Sequence, residues 1–140
     1  MSQGVARVFR VILVDTSVWI HHLRLGDSDL SALLEAGLVL SHPMVIGELS
    51  CGNLKNRAEF LADLKLLPLG IRARDEEVYA FIDRHRLFGR GIGWIDAHLL
   101  ASALIGRCGL LTRDQRLAGL AVELKVANRA PSVNARRIRR

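Results

Sequence analysis

The sequence predicts an α/β fold in which a short parallel sheet is flanked by helices on both faces. Short apolar runs of strand length alternate along the chain with stretches whose apolar residues recur at helical spacing. Half of the 140 residues are hydrophobic, and this length fits one domain with a sizeable core. We therefore expect residues 1–140 to form a single domain, with a core at about 11–127 and a basic C-terminal tail at 128–140.

The first strand and helix are predicted at the N-terminal end of this core. The run Val11–Val14 is apolar and rich in β-branched residues, which indicates a buried strand, and Asp15 follows it directly. Thr16 or Ser17 is expected to cap the next helix, which runs to about Arg24. Ligands bind at the carboxyl ends of strands in an open parallel sheet, so Asp15 is expected at a site. The alternative is that Asp15 only caps the helix, because strand-to-helix turns commonly end in capping residues.

The middle of the chain continues the alternation of helices and short strands. We predict, in order, a short helix that Gly37 ends, a strand at 38–40, a helix that opens at Ser41, His42 and Pro43, a helix at 58–67 and an edge strand at 66–69. Proline suits the first turn of a helix because its missing N–H has no partner there. Glu48 lies on that helix, next to its apolar stripe.

The C-terminal part is predicted to hold three helices and two strands. In order, we expect a helix from Asp75 to about Phe88, a mobile glycine-rich loop at 89–93, a mostly buried helix with Trp94 and Asp96 in its first turn, a strand at 109–112, a helix at 115–118 and a strand at 122–126. The glycines of the loop lack the spacing of a dinucleotide-binding or phosphate-binding fingerprint. Asp114 comes directly after a strand, as Asp15 does.

Four acidic side chains are predicted to converge at one edge of the sheet. Asp15 and Asp114 follow strands and Asp96 starts a helix, so all three are expected at the carboxyl edge. Glu48 joins them if its helix leans over the cleft. At a separation of about 5 Å and an effective dielectric constant near 20, each carboxylate pair costs on the order of 3 kcal/mol, so the cluster takes up protons or binds a cation. Oxygen ligands alone indicate Mg²⁺ or Mn²⁺ and not Zn²⁺.

The charge balance and the cysteine count narrow the partners and the compartment. A net charge of +6 and a pI near 10.3 favour an anionic partner, and nucleic acid is the commonest such partner for a small domain. Cys51 and Cys108 lack the spacing of a disulfide framework or a zinc cluster, so we expect a cytoplasmic protein. No apolar run reaches the roughly 18 residues of a membrane span, and no signal-peptide pattern is present.

Four short motifs follow one another along residues 11 to about 127. They are VDTSVWI, GELSCG, DAHLLASAL and LLTRDQRL, and they contain Asp15, Glu48, Asp96 and Asp114 in that order. The chain thereby resembles PIN-domain ribonucleases, specifically the VapC-type toxins of bacterial type II toxin–antitoxin systems. The resemblance implies a three-layer PIN-like, Rossmann-like fold and a Mg²⁺-dependent endoribonuclease in which Mn²⁺ can substitute. It also implies that the four acids are the catalytic and metal-binding residues, supported by Thr16, Ser17 and Thr112.

The resemblance implies three kinds of partner: an RNA substrate, a cognate VapB-type antitoxin and a second copy of the chain in a homodimer. Arginines near the predicted site are expected to contact RNA phosphates, although they also fit an ordinary solvated face: Arg84, Arg86, Arg90, Arg113 and Arg116. Apolar residues of the first two helices are expected to form a groove for an amphipathic antitoxin segment: Trp19, Leu23, Leu30, Leu33 and Leu34. The alternative is that these residues complete the core.

Aromatic and histidine side chains are predicted to have no catalytic role. Trp19, Phe88 and Trp94 stand at apolar spacing and are expected in the core, although Trp94 could line the cleft beside the glycine-rich loop. Several histidines have no partner at metal-ligand spacing and are expected at the surface or satisfied by hydrogen bonds: His21, His22, His85 and His98.

Three other functions stay open on the sequence. A phosphotransferase or phosphatase with an aspartate nucleophile also begins with a strand that ends in Asp, but Ser17 stands where such a site needs a second Asp. A non-catalytic RNA-binding module would be favoured if one of the four acids were missing. A PIN-like nuclease of RNA maturation retains every one of these residues and differs from a toxin only in its role in the cell.

Overall fold

The computed structural model describes residues 9–128 of the chain. In this range three strands are present: β1 (Ile12–Val14), β2 (Val39–Leu40) and β3 (Gly109–Leu111). The described residues also form seven helices: α1 (Thr16–Leu25), α2 (Ser28–Glu35), α3 (Pro43–Ser50), α4 (Arg57–Leu64), α5 (Asp75–His85), α6 (Trp94–Gly106) and α7 (Gln115–Glu123). The predicted tail at 128–140 lies outside the described residues, apart from Asn128.

The strands form one parallel sheet in the order β2-β1-β3. Ile12 of β1 pairs with Val39 on one side and with Gly109 on the other. Every residue of β1 is 0% exposed, as expected for the central strand of a parallel sheet that is covered on both faces. The predicted α/β architecture with a short parallel sheet is therefore confirmed.

The predicted strand at 122–126 is wrong because α7 continues well beyond its predicted end. Leu117 and Leu120 recur at helical spacing and are buried, whereas Val122 is 52% exposed, which does not fit a buried strand. Lys125 then adopts a left-handed conformation with φ 62°, and only Ala127 forms a single pairing with β3. Residues 122–126 alternate apolar and charged side chains, which is typical of a strand, but the first two of them complete the amphipathic helix α7.

The predicted edge strand at 66–69 is reduced to a single pairing of Leu69 with Ser41, beside β2. Helix ends also differ from the prediction, and α4 stops three residues early, at Leu64. Helix α5 stops before Arg86, which takes the left-handed conformation (φ 53°) common just after a helix. Phe88 therefore lies beyond the helix that was predicted to contain it.

The core extends from the sheet into α6, as predicted. Residues 97–103 of α6 are buried, and four of these seven are Ala or Ser, so neighbouring elements approach the helix closely. At the start of β3, a Cβ on Gly109 would lie 2.9 Å from Phe9 and 3.0 Å from Ile12. A side chain at this position would force Phe9 or Ile12 to shift within the core, so the close packing favours glycine.

The aromatic residues are only partly in this core. Trp19 is 3% exposed, as predicted, whereas Trp94 is 38% and Phe88 is 64% exposed. The prediction of a core position for Trp94 and Phe88 is wrong, because the first begins α6 and the second lies in the loop after α5. Trp94 contacts the ring of Tyr79 on α5, with ring centroids 5.2 Å apart.

Candidate active site

Asp15 is held at the carboxyl end of β1 by two hydroxyl groups. Ser17 Oγ donates a hydrogen bond to Asp15 Oδ2 at 2.7 Å, and Thr112 Oγ1 donates to the same oxygen at 2.8 Å. Asp15 occupies the N-cap position of α1, yet its side chain makes no capping hydrogen bond. The interpretation of Asp15 as only a helix cap is therefore not supported, and Asp15 Oδ1 is left to bind a further group.

The same two hydroxyls tie the ends of β1 and β3 together. Ser17 Oγ accepts a hydrogen bond from the backbone N–H of Arg113 at 3.0 Å, and Thr112 Oγ1 accepts one from that of Asp114 at 3.0 Å. Each hydroxyl thus donates its proton to Asp15 and accepts from the backbone after β3. The 3.3 Å between the two hydroxyl oxygens is a packing distance, because both protons already point to the carboxylate.

The residues predicted to support the site have different roles. Ser17 and Thr112 orient Asp15, whereas Thr16 is buried and its hydroxyl has no hydrogen-bond partner within residues 9–128. The prediction that Thr16 or Ser17 caps α1 is wrong, because Asp15 takes the N-cap position.

Asp114 and Asp96 are each fixed at the start of a helix. Asp114 is the N-cap residue of α7, and its Oδ1 accepts a hydrogen bond from the backbone N–H of Leu117 at 3.0 Å. Asp96 is the third residue of α6, and its Oδ2 accepts one from the backbone N–H of Gly93 at 3.3 Å. A carboxylate at a helix N-terminus is favoured by the helix dipole. In both residues the second carboxylate oxygen remains for a ligand.

Electrostatic interactions connect Asp96 with the other three acids. Burial raises the pKa of Asp96, and the negative charges of Asp15, Asp114 and Glu48 raise it further, while the hydrogen bond from Gly93 acts in the opposite direction. Glu48 is exposed on α3. The structure therefore brings the four predicted acids into one electrostatic neighbourhood.

This neighbourhood offers carboxylate oxygens as ligands. Within residues 9–128, no group of three or more His, Cys, Asp or Glu side chains forms a ready-made metal site. Mg²⁺ retains several of its waters in proteins and is often bound through only one or two carboxylates. Carboxylate oxygens are the ligands that Mg²⁺ and Mn²⁺ prefer, so the chemistry of the four acids fits such a cation.

All five arginines predicted to bind RNA have exposed side chains: Arg84, Arg86, Arg90, Arg113 and Arg116. Two of them form ion pairs, since Arg90 Nη2 lies 2.6 Å from Glu123 Oε2 and Arg113 Nη1 lies 3.6 Å from Asp27 Oδ2. Exposed pairs such as Arg90 with Glu123 contribute little free energy, so these guanidinium groups remain available to an anionic ligand.

Most of the predicted antitoxin groove is part of the core. Leu30, Trp19 and Leu33 are 0%, 3% and 9% exposed, so they pack inside the molecule. Leu23 is 40% exposed, and Leu34 is partly buried against the core. The alternative interpretation, that these residues complete the core, therefore holds for the first three, and only the other two present surface.

A buried polar cluster between α3 and α6 was missed in the sequence. His42, His98 and Ser102 are all 0% exposed. One sequence feature pointed to part of this cluster: His42 stands directly before Pro43, in the position where a helix N-cap residue is expected. Its partner Ser102 lies sixty positions further along the chain, beyond the reach of any local pattern.

The fold and the acidic site define the class of protein. Residues 12–123 match the family model of the PIN domain, and the chain belongs to this family. Two proteins named Ribonuclease VapC32, from Mycobacterium tuberculosis strains CDC 1551 / Oshkosh and ATCC 25618 / H37Rv, are each 46% identical to the chain over 121 residues. The match covers 84% of this chain and 95% of each relative. The predicted resemblance to PIN-domain ribonucleases of the VapC type is thus confirmed.

Proposed function

We propose that the chain is a metal-dependent endoribonuclease that acts as the toxin of a type II toxin–antitoxin system. Its proposed catalytic and metal-binding residues are Asp15, Glu48, Asp96 and Asp114. The observation that carries the proposal is an Asp15 carboxylate oriented by Ser17 and Thr112, near an Asp96 whose pKa is raised by burial and by the neighbouring acids. An acidic centre in a protein of net charge +6 suits an anionic substrate that approaches through a cation. The names of the two relatives support RNA as that substrate.

Mg²⁺, for which Mn²⁺ can substitute, is the proposed cofactor. The donor set consists of carboxylates, which these hard cations prefer, and the repulsion that raises the pKa of Asp96 would be relieved by positive charge. When bound, the cation supplies charge neutralisation at the phosphate and an activated water. Asp15 and Asp96 are proposed as direct ligands, Asp114 as a ligand directly or through water, and Glu48 as the residue that orients cation or water.

The surrounding side chains support hydrolysis more than phosphoryl transfer to an aspartate. Ser17 and Thr112 hold Asp15 Oδ2 and leave Oδ1 for the cation. An aspartate nucleophile would need a second acid two positions further on, but the hydroxyl there is used as a donor to Asp15 itself.

RNA is proposed to bind across the exposed arginines beside this site. The backbone N–H of Arg113 donates to Ser17 Oγ, so the Arg113 side chain starts next to Asp15. Arg116 lies one turn further along, on α7. Guanidinium groups in these positions would contact the phosphates on either side of the cleaved bond, with release of counterions.

We infer a cognate VapB-type antitoxin and a homodimer as protein partners. Leu23 and Leu25, at the end of α1, are 40% and 79% exposed, and an amphipathic segment could cover them. A basic side chain of that segment would have to extend back along α1 to reach Asp15, because Leu25 lies ten residues, or roughly 15 Å of helix, after it. Mutation of Leu25 is a sharper test of this contact than mutation of the buried Trp19.

The proposed compartment is the cytoplasm. No helix within the described range is long and apolar enough to cross a membrane. Cys51 and Cys108 are both unpaired thiols, which supports a reducing environment.

The test is cleavage of a single-stranded RNA in Mg²⁺ by the wild type, Asp15→Asn and Asp96→Asn. Both variants are expected to lose cleavage by at least about 100-fold and to unfold as cooperatively as the wild type. Asp63→Asn, on the exposed surface of α4, is the matched control and should retain the wild-type rate. Full activity in EDTA, or wild-type turnover by both variants, would contradict the proposal. If the active enzyme is harmless when expressed alone, and no small protein co-purifies with it, a role in RNA maturation would be indicated instead.

A further inference from the structure

A buried hydrogen bond joins the two helices that contain Glu48 and Asp96. His42 is the N-cap residue of α3 and Ser102 lies on α6, and both are 0% exposed. His42 Nε2 and Ser102 Oγ are 2.9 Å apart. The function proposed above assigns no role to either residue.

Both ring nitrogens of His42 are used, which fixes the tautomer. Nδ1 accepts a hydrogen bond from the backbone N–H of Met44 at 3.1 Å, so it carries no proton. Nε2 therefore carries the proton and donates it to Ser102 Oγ. Burial lowers the pKa of His42 to about 4, and the nearby charges of His98 and Arg72 act in the same direction. The imidazole is consequently neutral at pH 7, and one ring both caps α3 and binds α6.

The hydrogen bond and the acid pair occupy equivalent positions along the two helices. Glu48 is six residues after His42, and Asp96 is six residues before Ser102. At 1.5 Å per residue, each separation is roughly 9 Å of helix. Helices α3 and α6 pack against each other, and the negative charge of Glu48 acts on Asp96. A change of tilt at the hydrogen bond would therefore change the separation of the two carboxylates.

We propose that His42 and Ser102 are positioning residues whose buried hydrogen bond sets the spacing of Glu48 and Asp96 and thereby the affinity of the site for its divalent cation. The inference rests on the proposed metal-dependent ribonuclease function. The hydrogen bond acts through the helices, since neither residue belongs to the group of acids. Outer partners that orient metal ligands typically alter metal affinity by 10- to 100-fold when they are removed.

Two variants break the same hydrogen bond in different ways. Ser102→Ala removes the acceptor, whereas His42→Asn retains an N-cap side chain for Met44 but is too short to reach α6. Val126→Ala is the matched control, because Val126 is 1% exposed and lies after α7, on neither helix. If Ser102→Ala does not fold, Ser102→Cys retains the volume and substitutes a weak sulfur acceptor.

The measurements are Mn²⁺ binding by titration calorimetry, urea unfolding and RNA cleavage as a function of Mg²⁺. We expect Ser102→Ala and His42→Asn to weaken Mn²⁺ binding by about tenfold each, and the double variant by no more than the larger single effect. Both should also require more Mg²⁺ for half-maximal cleavage while approaching the wild-type rate at saturation. The control is expected to lose stability with unchanged Mn²⁺ affinity.

Two outcomes distinguish failure of this inference from failure of the function on which it rests. Wild-type Mn²⁺ affinity in folded Ser102→Ala or Ser102→Cys would overturn the positioning role and leave the ribonuclease proposal intact. Absence of both Mn²⁺ binding and metal-dependent cleavage in the wild type would overturn the proposed function, and the positioning role with it. If Val126→Ala loses as much Mn²⁺ affinity as the Ser102 and His42 variants, general destabilisation would explain the loss, and the inference would also be overturned.

Discussion

Acidification should destabilise this protein through His42, and the size of the effect follows from its pKa. The ordinary histidine value of 6.5 falls to about 4 in the folded state, chiefly because the ring is buried. Between these two values the unfolded chain binds a proton that the folded chain does not, so the free energy of unfolding decreases as the pH falls. The stabilising contribution is complete above pH 6.5 and is lost progressively towards pH 4.

One pKa unit corresponds to about 1.4 kcal/mol, so the full shift of His42 amounts to about 3 kcal/mol. Between pH 7 and pH 5, linkage predicts a loss of about 2 kcal/mol from this residue alone. For a domain of this length, that loss corresponds to a fall in melting temperature of about 6 °C. Asp96 has the opposite effect on the free energy of unfolding. Because its pKa is raised in the folded state, the folded chain binds a proton more readily than the unfolded chain as the pH falls, and this proton stabilises the fold.

The assay is urea unfolding at pH 7, 6 and 5 for the wild type and His42→Asn. The difference between the two proteins isolates His42, since Asp96 contributes to both. We expect the wild type to lose about 2 kcal/mol more than the variant between pH 7 and pH 5. Val126→Ala, which is destabilised elsewhere, should follow the wild-type pH profile. Parallel profiles for the wild type and His42→Asn would refute this account of the buried imidazole.

Two further predictions concern the acids and the arginines. Asp96→Asn should stabilise the metal-free protein at pH 7 by on the order of 1 kcal/mol, because it removes a half-buried charge that Asp15, Asp114 and Glu48 repel. In differential scanning calorimetry, Mg²⁺ should raise the melting temperature of the wild type but not that of the variant. Arg113→Glu should weaken RNA binding and reduce the dependence of the binding constant on salt concentration, as measured by fluorescence anisotropy. An unchanged salt dependence would exclude a phosphate contact at this position.

Features that depend on local pattern were predictable from the sequence. Val11–Val14 reads as a buried strand because a central parallel strand is apolar on both faces, and an acid at its end falls at the functional edge of any such sheet. The positions of Asp114 and Asp96 follow by the same reasoning from β3 and α6. The placement of these three acids at one edge of the sheet could thus be predicted from element order, whereas that of Glu48 depends on how α3 leans.

Features that depend on contacts between distant residues were not predictable. Val122 is apolar but exposed on α7, so the alternation of apolar and charged residues at 122–126 predicts a strand where the helix continues. Leu30 and Leu33 were equally compatible with a groove and with the core, because only the neighbouring helices decide which side of α2 is covered. The role of Ser17 and Thr112 as joint donors to Asp15 required the parallel pairing of β1 with β3, which joins positions 95 residues apart.

The tight packing at Gly109 also brings together two segments that are far apart along the chain. A Cβ at this glycine would lie 2.9 Å from Phe9 and 3.3 Å from the Cα of Asn128, so the first and last described residues adjoin each other at the amino end of β3. The acids lie at the opposite, carboxyl end of the same sheet. This topology suits circular permutation: a short linker from residue 128 to residue 9, with new termini in the exposed turn at 65–66 after α4, would preserve every strand pairing and leave the elements that carry the acids intact.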